Sequence, residues 1–275
     1  MATSDLDQQT QTGAYSDYES SEEDEENDPS AMTLVEHLQE LRGRIFKSLL
    51  AIAVGAIVAF IFRDYIIAFL QAPLPQSSNV LTHDPNHKLV VTGLLEGFSV
   101  FLKLSIAVGF FLAIPVILYQ VWAFIAPGLY HNEKKTAIPF ILIGIVLFLA
   151  GITLGFVVLR YPVEWFVQFA STSFTELVTA DSYFTFVAFF VLAFGLVFEL
   201  PLVLTFLAKV GLVSGETFKK KRAVAHVGMW IASTFLTPGA DVYSPVILGI
   251  TMSCLYELSI LFIHFFVKNP PASAE

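Results

Sequence analysis

FTFVAFFVLAFGLVFELPLVLTFLAK, residues 184 to 209, is a long apolar run with one carboxylate, Glu199, near its middle. As an α-helix rising about 1.5 Å per residue it crosses a hydrocarbon core of roughly 30 Å and carries Glu199 to depth. An acid at the centre of a spanning helix costs about 2.5 to 3.5 kcal/mol on insertion scales, so such a residue has a partner or a task. Pro201, two residues on, lacks an N–H, clashes with the preceding turn and frees the carbonyl of Val197. The run is therefore expected to be a helix broken or bent beside its acid. Glu199 reads either as a structural acid paired to a neighbouring helix or as a functional intramembrane site.

The composition agrees with a membrane protein: hydrophobic residues make up 55% of the chain and charged residues 14%, and the mean hydropathy is +0.69. The net charge of −9 is uninformative, because ten of the 24 acids lie in residues 1 to 28, a segment with no Lys or Arg. Residues 1–30 read as a disordered acidic tail, too polar to bury anything. Cys254, the only cysteine, falls in an apolar run, which excludes an intramolecular disulfide. The N-terminus lacks the pattern of a signal or transit peptide, so the first span is expected to act as its own insertion signal.

Thr33 with Glu36 makes a capping box, and Leu34, Leu38, Leu41 and Ile45 fall at helical spacing. An amphipathic helix is expected to run from there into the first span, placing His37, Glu40, Arg42 and Arg44 at the membrane entrance. The spans are expected at about 45–62, 98–125, 137–159, 184–208, 223–236 and 244–266, within a membrane domain of 31–267 that is followed by a short tail, 268–275. The segment from Arg63 to Gly97 reads as an outer loop with an interfacial helix at Tyr65–Leu70. His83 and His87 have metal-like spacing, but Pro85 between them argues against a helical ligand pair. Pro115 is expected to kink span two, Lys103 to snorkel from its outer end, and Trp122 and Tyr119 to form a belt at the other. A tight turn, residues 126–136, makes spans two and three antiparallel. A polar connector carrying Glu164, Glu176 and Asp181 is expected after Arg160. Span five is short for a bilayer, which favours local thinning, and Glu257 is a second intramembrane acid near the inner end of span six.

With six spans and the N-terminus inside, 11 of the 15 Lys and Arg residues are cytoplasmic, including Lys219, Lys220, Lys221 and Arg222. That asymmetry predicts both termini on the cytoplasmic side. The basic cluster reads as an orientation signal and an anionic-lipid contact. Nucleophile, zinc-protease and phosphate-loop motifs are missing from the sequence, so the chain does not read as an enzyme. Two acids, Glu40 and Glu133, remain at membrane level among bases on the cytoplasmic face. Separated carboxylates match guanidinium groups, and lysine is a poor substitute; the simpler reading is a solvated acid beside each nearby base, such as Arg44 four residues from Glu40.

HLQELR at 37–42, PVILYQVWAFIAPGLYHNEKK at 115–135, FGLVFELPLV at 194–203, the LTP turn at 236–238 and LYE at 255–257 closely resemble the TatC family, the membrane receptor of the twin-arginine protein translocase. The resemblance covers about residues 33 to 267. It implies an all-α, cup-shaped bundle of six transmembrane helices that binds twin-arginine signal peptides and exports folded proteins using the proton-motive force. By position, Glu40 and Glu133 look like the family's two twin-arginine-binding carboxylates and Phe124 its associated aromatic, with His37 and Arg42 beside Glu40. Glu199, next to Pro201, is similar to the intramembrane acid that contacts the single-span partners. Glu96 and Lys103 match a recurrent pair around the start of span two, Asp241 an acidic position of the outer turn, and Glu257 is a further candidate. The turn reads TPGAD where the family form is TPPD or TPxD.

The implied partners are TatA-like and TatB-like subunits, signal peptides of folded cargo and membrane lipid, in an oligomeric receptor complex without nucleic acid, cofactor or metal. The implied location is the bacterial cytoplasmic membrane, or the thylakoid of a photosynthetic source. Two other classes fit parts of the pattern. A proton-coupled secondary transporter would use Glu199 beside a broken helix, although the two halves show no internal repeat. An intramembrane enzyme would have to draw on Cys254 and Glu257, which supply neither a nucleophile–base pair nor a metal set.

Overall fold

Apolar runs of this length satisfy their backbone polar groups internally as helices, the economical solution in lipid. The computed structural model describes residues 34–74, 89–125, 137–171, 178–238 and 241–266, and these contain ten helices and one isolated parallel bridge, Val90 to Thr179. They are α1 Leu34–Ile61, α2 Arg63–Leu70, α3 Glu96–Ile125, α4 Ala137–Val158, α5 Arg160–Ser171, α6 Ala180–Val197, α7 Leu200–Lys209, α8 Gly215–Lys220, α9 Arg222–Leu236 and α10 Tyr243–Phe266. The acidic tail, Thr33 of the capping box, His83 and His87, the turn bearing Glu133, Glu176, and the C-terminal tail lie outside the described residues.

Among the described residues, five stretches are long and apolar enough to cross a membrane: Val35–Ile61, Glu96–Ile125, Ile138–Phe169, Ala180–Lys209 and Tyr243–Phe265. The 15-residue α9 is apolar but shorter than these. Contacts divide the chain into Met1–Arg44 and Ile45–Glu275. In the larger unit the core centres on α6, with Val187, Phe190 and Phe194 fully enclosed and joined by Leu159 and Leu248 from neighbouring elements. Many large apolar side chains point outward, among them Phe46, Leu49, Ile57, Leu142, Val146 and Phe265. In a bilayer these outward groups face lipid.

Glycines set the closest helix contacts. A Cβ built on Gly151 of α4 would lie 2.6 Å from the Phe194 carbonyl oxygen, and one on Gly155 would lie 2.8 Å from Phe194 Cβ. The relation is reciprocal, since a Cβ on Gly195 of α6 would lie 2.8 Å from the Phe148 ring. Each phenylalanine thus occupies the space its partner glycine leaves, which locks α4 to α6 by close packing, the main source of helix affinity in lipid. Gly55 and Gly109 let α1 and α3 cross in the same way, with the Gly109 oxygen 2.7 Å from a Cβ on Gly55.

One expectation needs correction. The stretch after Arg160 is helical for at least its first twelve residues, not a polar connector. Tyr161, Trp165 and Phe169 recur at helical spacing, Val163 is buried, Arg160 Nη2 donates to Glu164 at 3.2 Å, and Trp165 stacks on Phe169 with ring centres 5.1 Å apart. Glu164 is therefore the polar side of an amphipathic turn. Pro115 lies inside α3, which is helical on both sides of it; a proline removes a single backbone donor.

Candidate functional site

The break anticipated beside Glu199 is present. Helix α6 ends at Val197, α7 begins at Leu200, and Phe198 and Glu199 lie between. The backbone stays near helical values there, with φ −74° and ψ −13° at Glu199, so the chain continues in one direction while the hydrogen-bond ladder is interrupted. Glu199 N donates to Leu196 O at 3.1 Å, and buried Pro201 has no hydrogen to donate to Val197. The Glu199 carboxylate turns toward α4, where a Cβ on Gly144 would lie 3.4 Å from its Oε2 and closer still to Leu118 and Leu202. Both carboxylate oxygens are shut from solvent, and neither has a hydrogen-bond partner among the described residues. The paired-acid reading therefore finds no partner here.

In the Met1–Arg44 unit, Glu40 lies on the helical HLQELR segment. Arg44, one turn on, donates Nε to Glu40 Oε1 at 3.0 Å and Nη2 to the same oxygen. Glu40 Oε2 is buried without a hydrogen bond among the described residues, and His37 Nδ1 is 4.0 Å from it. Arg42 is exposed. Phe124 is half-buried at the end of α3, and Glu133 lies outside the described residues.

Glu257 of α10 is tied to α9. Arg222 Nε donates to its Oε1 at 2.5 Å, Arg222 Nη2 to its Oε2, and His226 Nε2 lies 2.9 Å from Oε1. Arg222 and His226, one turn apart, thus share one carboxylate, and the ring of His226 meets that of Tyr256 edge-on. The sequence reading took Arg222 only as part of a basic cluster and missed this fork; its spacing to His226 was the available signal.

Glu96 and Lys103 do not pair with each other among the described residues. Glu96 Oε2 accepts from Thr92 N, Thr92 Oγ1 and Gly93 N, and its Oε1 accepts from Asp181 N at 3.3 Å. Lys103 Nζ instead donates to Asp181 Oδ1 at 2.6 Å. Both therefore fasten the start of α3 to the start of α6, where Thr179 caps Ser182 N. Asp181, read as a connector residue, is the joint. Asp241 is buried and accepts from Ser244 N at 2.5 Å, which caps the first turn of α10, while its Oδ2 has no partner among the described residues.

Long apolar helices interlocked through glycine and aromatic side chains, with isolated carboxylates between and at the ends of them, define a multi-pass membrane protein. A family model described as Sec-independent protein translocase protein (TatC) matches residues 36–250, and on that match the chain belongs to the TatC family. Relatives of that name include the Desulforapulum autotrophicum protein, 37% identical over 87% of this chain and 87% of its own length. The Carboxydothermus hydrogenoformans protein is 38% identical over 89% of this chain and 97% of its own. A crystal structure titled as the twin arginine translocase receptor TatC in DDM superposes with a TM-score of 0.72 at 34% identity, covering 82% of this chain and 98% of that one. The chain is accordingly a protein-transport component of the Sec-independent translocase and not an enzyme.

Proposed function

We propose that this chain is the receptor and core subunit that reads twin-arginine signal peptides and, driven by the proton-motive force, directs export of folded proteins. The observation that carries the reading is Glu40: a largely enclosed carboxylate on the family's HLQELR segment, already engaged by a guanidinium. Glu40 and Glu133 supply the arginine-binding carboxylates, with Phe124, Arg42 and His37 completing the receptor surface. Glu199, desolvated beside Pro201 and without a hydrogen-bond partner among the described residues, is the contact for a polar group on a TatA-like or TatB-like single-span helix, which would supply a hydrogen bond. Glu96, Lys103, Asp241 and Glu257 hold helix ends in place. The chain works in an oligomeric complex and among membrane lipids.

The Ile45–Glu275 unit forms the family's cup-shaped bundle, with α9 as a short fifth of six spans beside a thinned bilayer. The acidic segment 1–30 precedes a membrane domain of 31–267, which residues 268–275 follow. The distribution of Lys and Arg supports cytoplasmic termini, in a bacterial cytoplasmic membrane or, for a photosynthetic source, the thylakoid.

The test is the affinity of the full chain in nanodiscs for a twin-arginine signal peptide and its twin-lysine version, with Glu40→Ala and Glu133→Ala alongside. Selective binding of the arginine peptide, weakened by each alanine, is expected. Equal binding of both peptides, indifferent to either alanine, would defeat the receptor reading and return Glu199 to consideration as a transporter's proton site.

A further inference from the structure

We infer that Arg44 is a built-in occupant of the Glu40 carboxylate, an internal competitor that sets how tightly an incoming cationic side chain binds there. The inference rests on the receptor reading of Glu40 and adds a regulator to that site. Arg44 directs both Nε and Nη2 at Oε1, while Oε2 is enclosed and has no hydrogen-bond partner among the described residues. The two side chains are only 20% and 21% exposed, well below an ordinary surface ion pair. The carboxylate therefore presents no open oxygen. A guanidinium that arrives from outside must first take the place of Arg44.

The helix enforces this occupancy, because Glu followed by Arg four residues later is the favourable order for such a pair. A single intramolecular competitor lowers the affinity of every ligand for the site by one common factor. It leaves discrimination between ligands to the geometry of the ligand itself, where the bidentate fork of arginine outbinds the point charge of lysine. The effect is a threshold: with Arg44 in place, only the stronger ligand binds at a given concentration.

The experiment measures both peptides, twin-arginine and twin-lysine, on full-length protein in nanodiscs carrying Arg44→Gln, Arg44→Lys, Lys47→Gln or Glu40→Ala. Arg44→Gln is expected to tighten both by the same factor, about three- to tenfold for loss of a charge-assisted pair of this enclosure, with their ratio unchanged. Arg44→Lys should fall between wild type and Gln. Lys47→Gln, which removes one exposed positive charge three residues away, should change neither affinity by as much as twofold. Weaker or unchanged binding in Arg44→Gln overturns the inference, as does an effect of equal size in Lys47→Gln or an Arg44→Lys variant identical to wild type, either of which makes charge alone the cause. If Glu40→Ala leaves both peptides unaffected, the receptor reading itself fails. If Glu40→Ala weakens binding and Arg44→Gln does not strengthen it, only the competitor is refuted.

Discussion

Gly151→Ala should destabilise this protein, although alanine is the better helix former, and the size of the effect follows from three distances. The added Cβ would stand 2.6 Å from Phe194 O, 2.8 Å from Phe198 Cβ and 2.9 Å from Phe198 Cγ, where ordinary contact begins at 3.4 Å. The nearest atom is backbone, which cannot swing aside, so α4 and α6 must move apart and loosen the Phe148–Gly195 contact as well. Overpacking of this kind costs about 1 to 3 kcal/mol. Gly228→Ala on α9 is the matched control, since a Cβ there meets nothing within 4 Å; it should stabilise by about 0.5 to 1 kcal/mol through lower unfolded-state freedom. The two variants should therefore differ by roughly 1.5 to 4 kcal/mol in reversible unfolding in mixed detergent–SDS micelles, followed by tryptophan fluorescence. Equal midpoints, or a Gly151→Ala variant more stable than wild type, would refute the glycine–phenylalanine interlock.

Glu199→Gln or Glu199→Leu should leave the isolated chain as stable as wild type or more so, by up to about 1 to 3 kcal/mol, since neither carboxylate oxygen has a partner among the described residues to lose. The same variants should lower crosslinking to a single-span partner helix; a large loss of stability instead would mean that the acid has an internal structural partner. Glu257→Ala and Arg222→Ala should show a coupling of only about 0.5 to 1 kcal/mol in a double-mutant cycle, because the side chains are 34% and 57% exposed. Coupling above about 2 kcal/mol would show the fork to be desolvated in the membrane.

Much of the architecture was readable in the chain. Five of the apolar runs expected as spans are, among the described residues, helices long and apolar enough to cross a membrane, because in lipid an apolar segment has almost no other way to satisfy its backbone. Pro201 two residues after Glu199 foretold the break between α6 and α7, since the missing N–H is a covalent fact independent of packing. The helix over Arg160–Ser171 was misread, because one carboxylate, Glu164, outweighed an aromatic repeat at positions 161, 165 and 169. Amphipathic helices at a membrane surface carry both kinds of residue, and charge alone does not separate them from connectors.

Of the candidate sites, the residues themselves drew attention to Glu40, Glu199 and Glu257, because ionisable groups in or beside apolar runs are rare enough to stand out, whereas Glu96 and Asp241 were singled out only by the family resemblance. Which group each one meets was decided only by tertiary structure. Asp181 joins Lys103 across 78 residues of chain, and Arg222 reaches Glu257 across 35. Glu199 meets no partner at all among the described residues. Local spacing determines contacts within one helix, such as Glu40 with Arg44, since the helical repeat brings residues four apart together. Contacts between helices depend on crossing points and rotations, and here those are set by where a glycine lets a phenylalanine in.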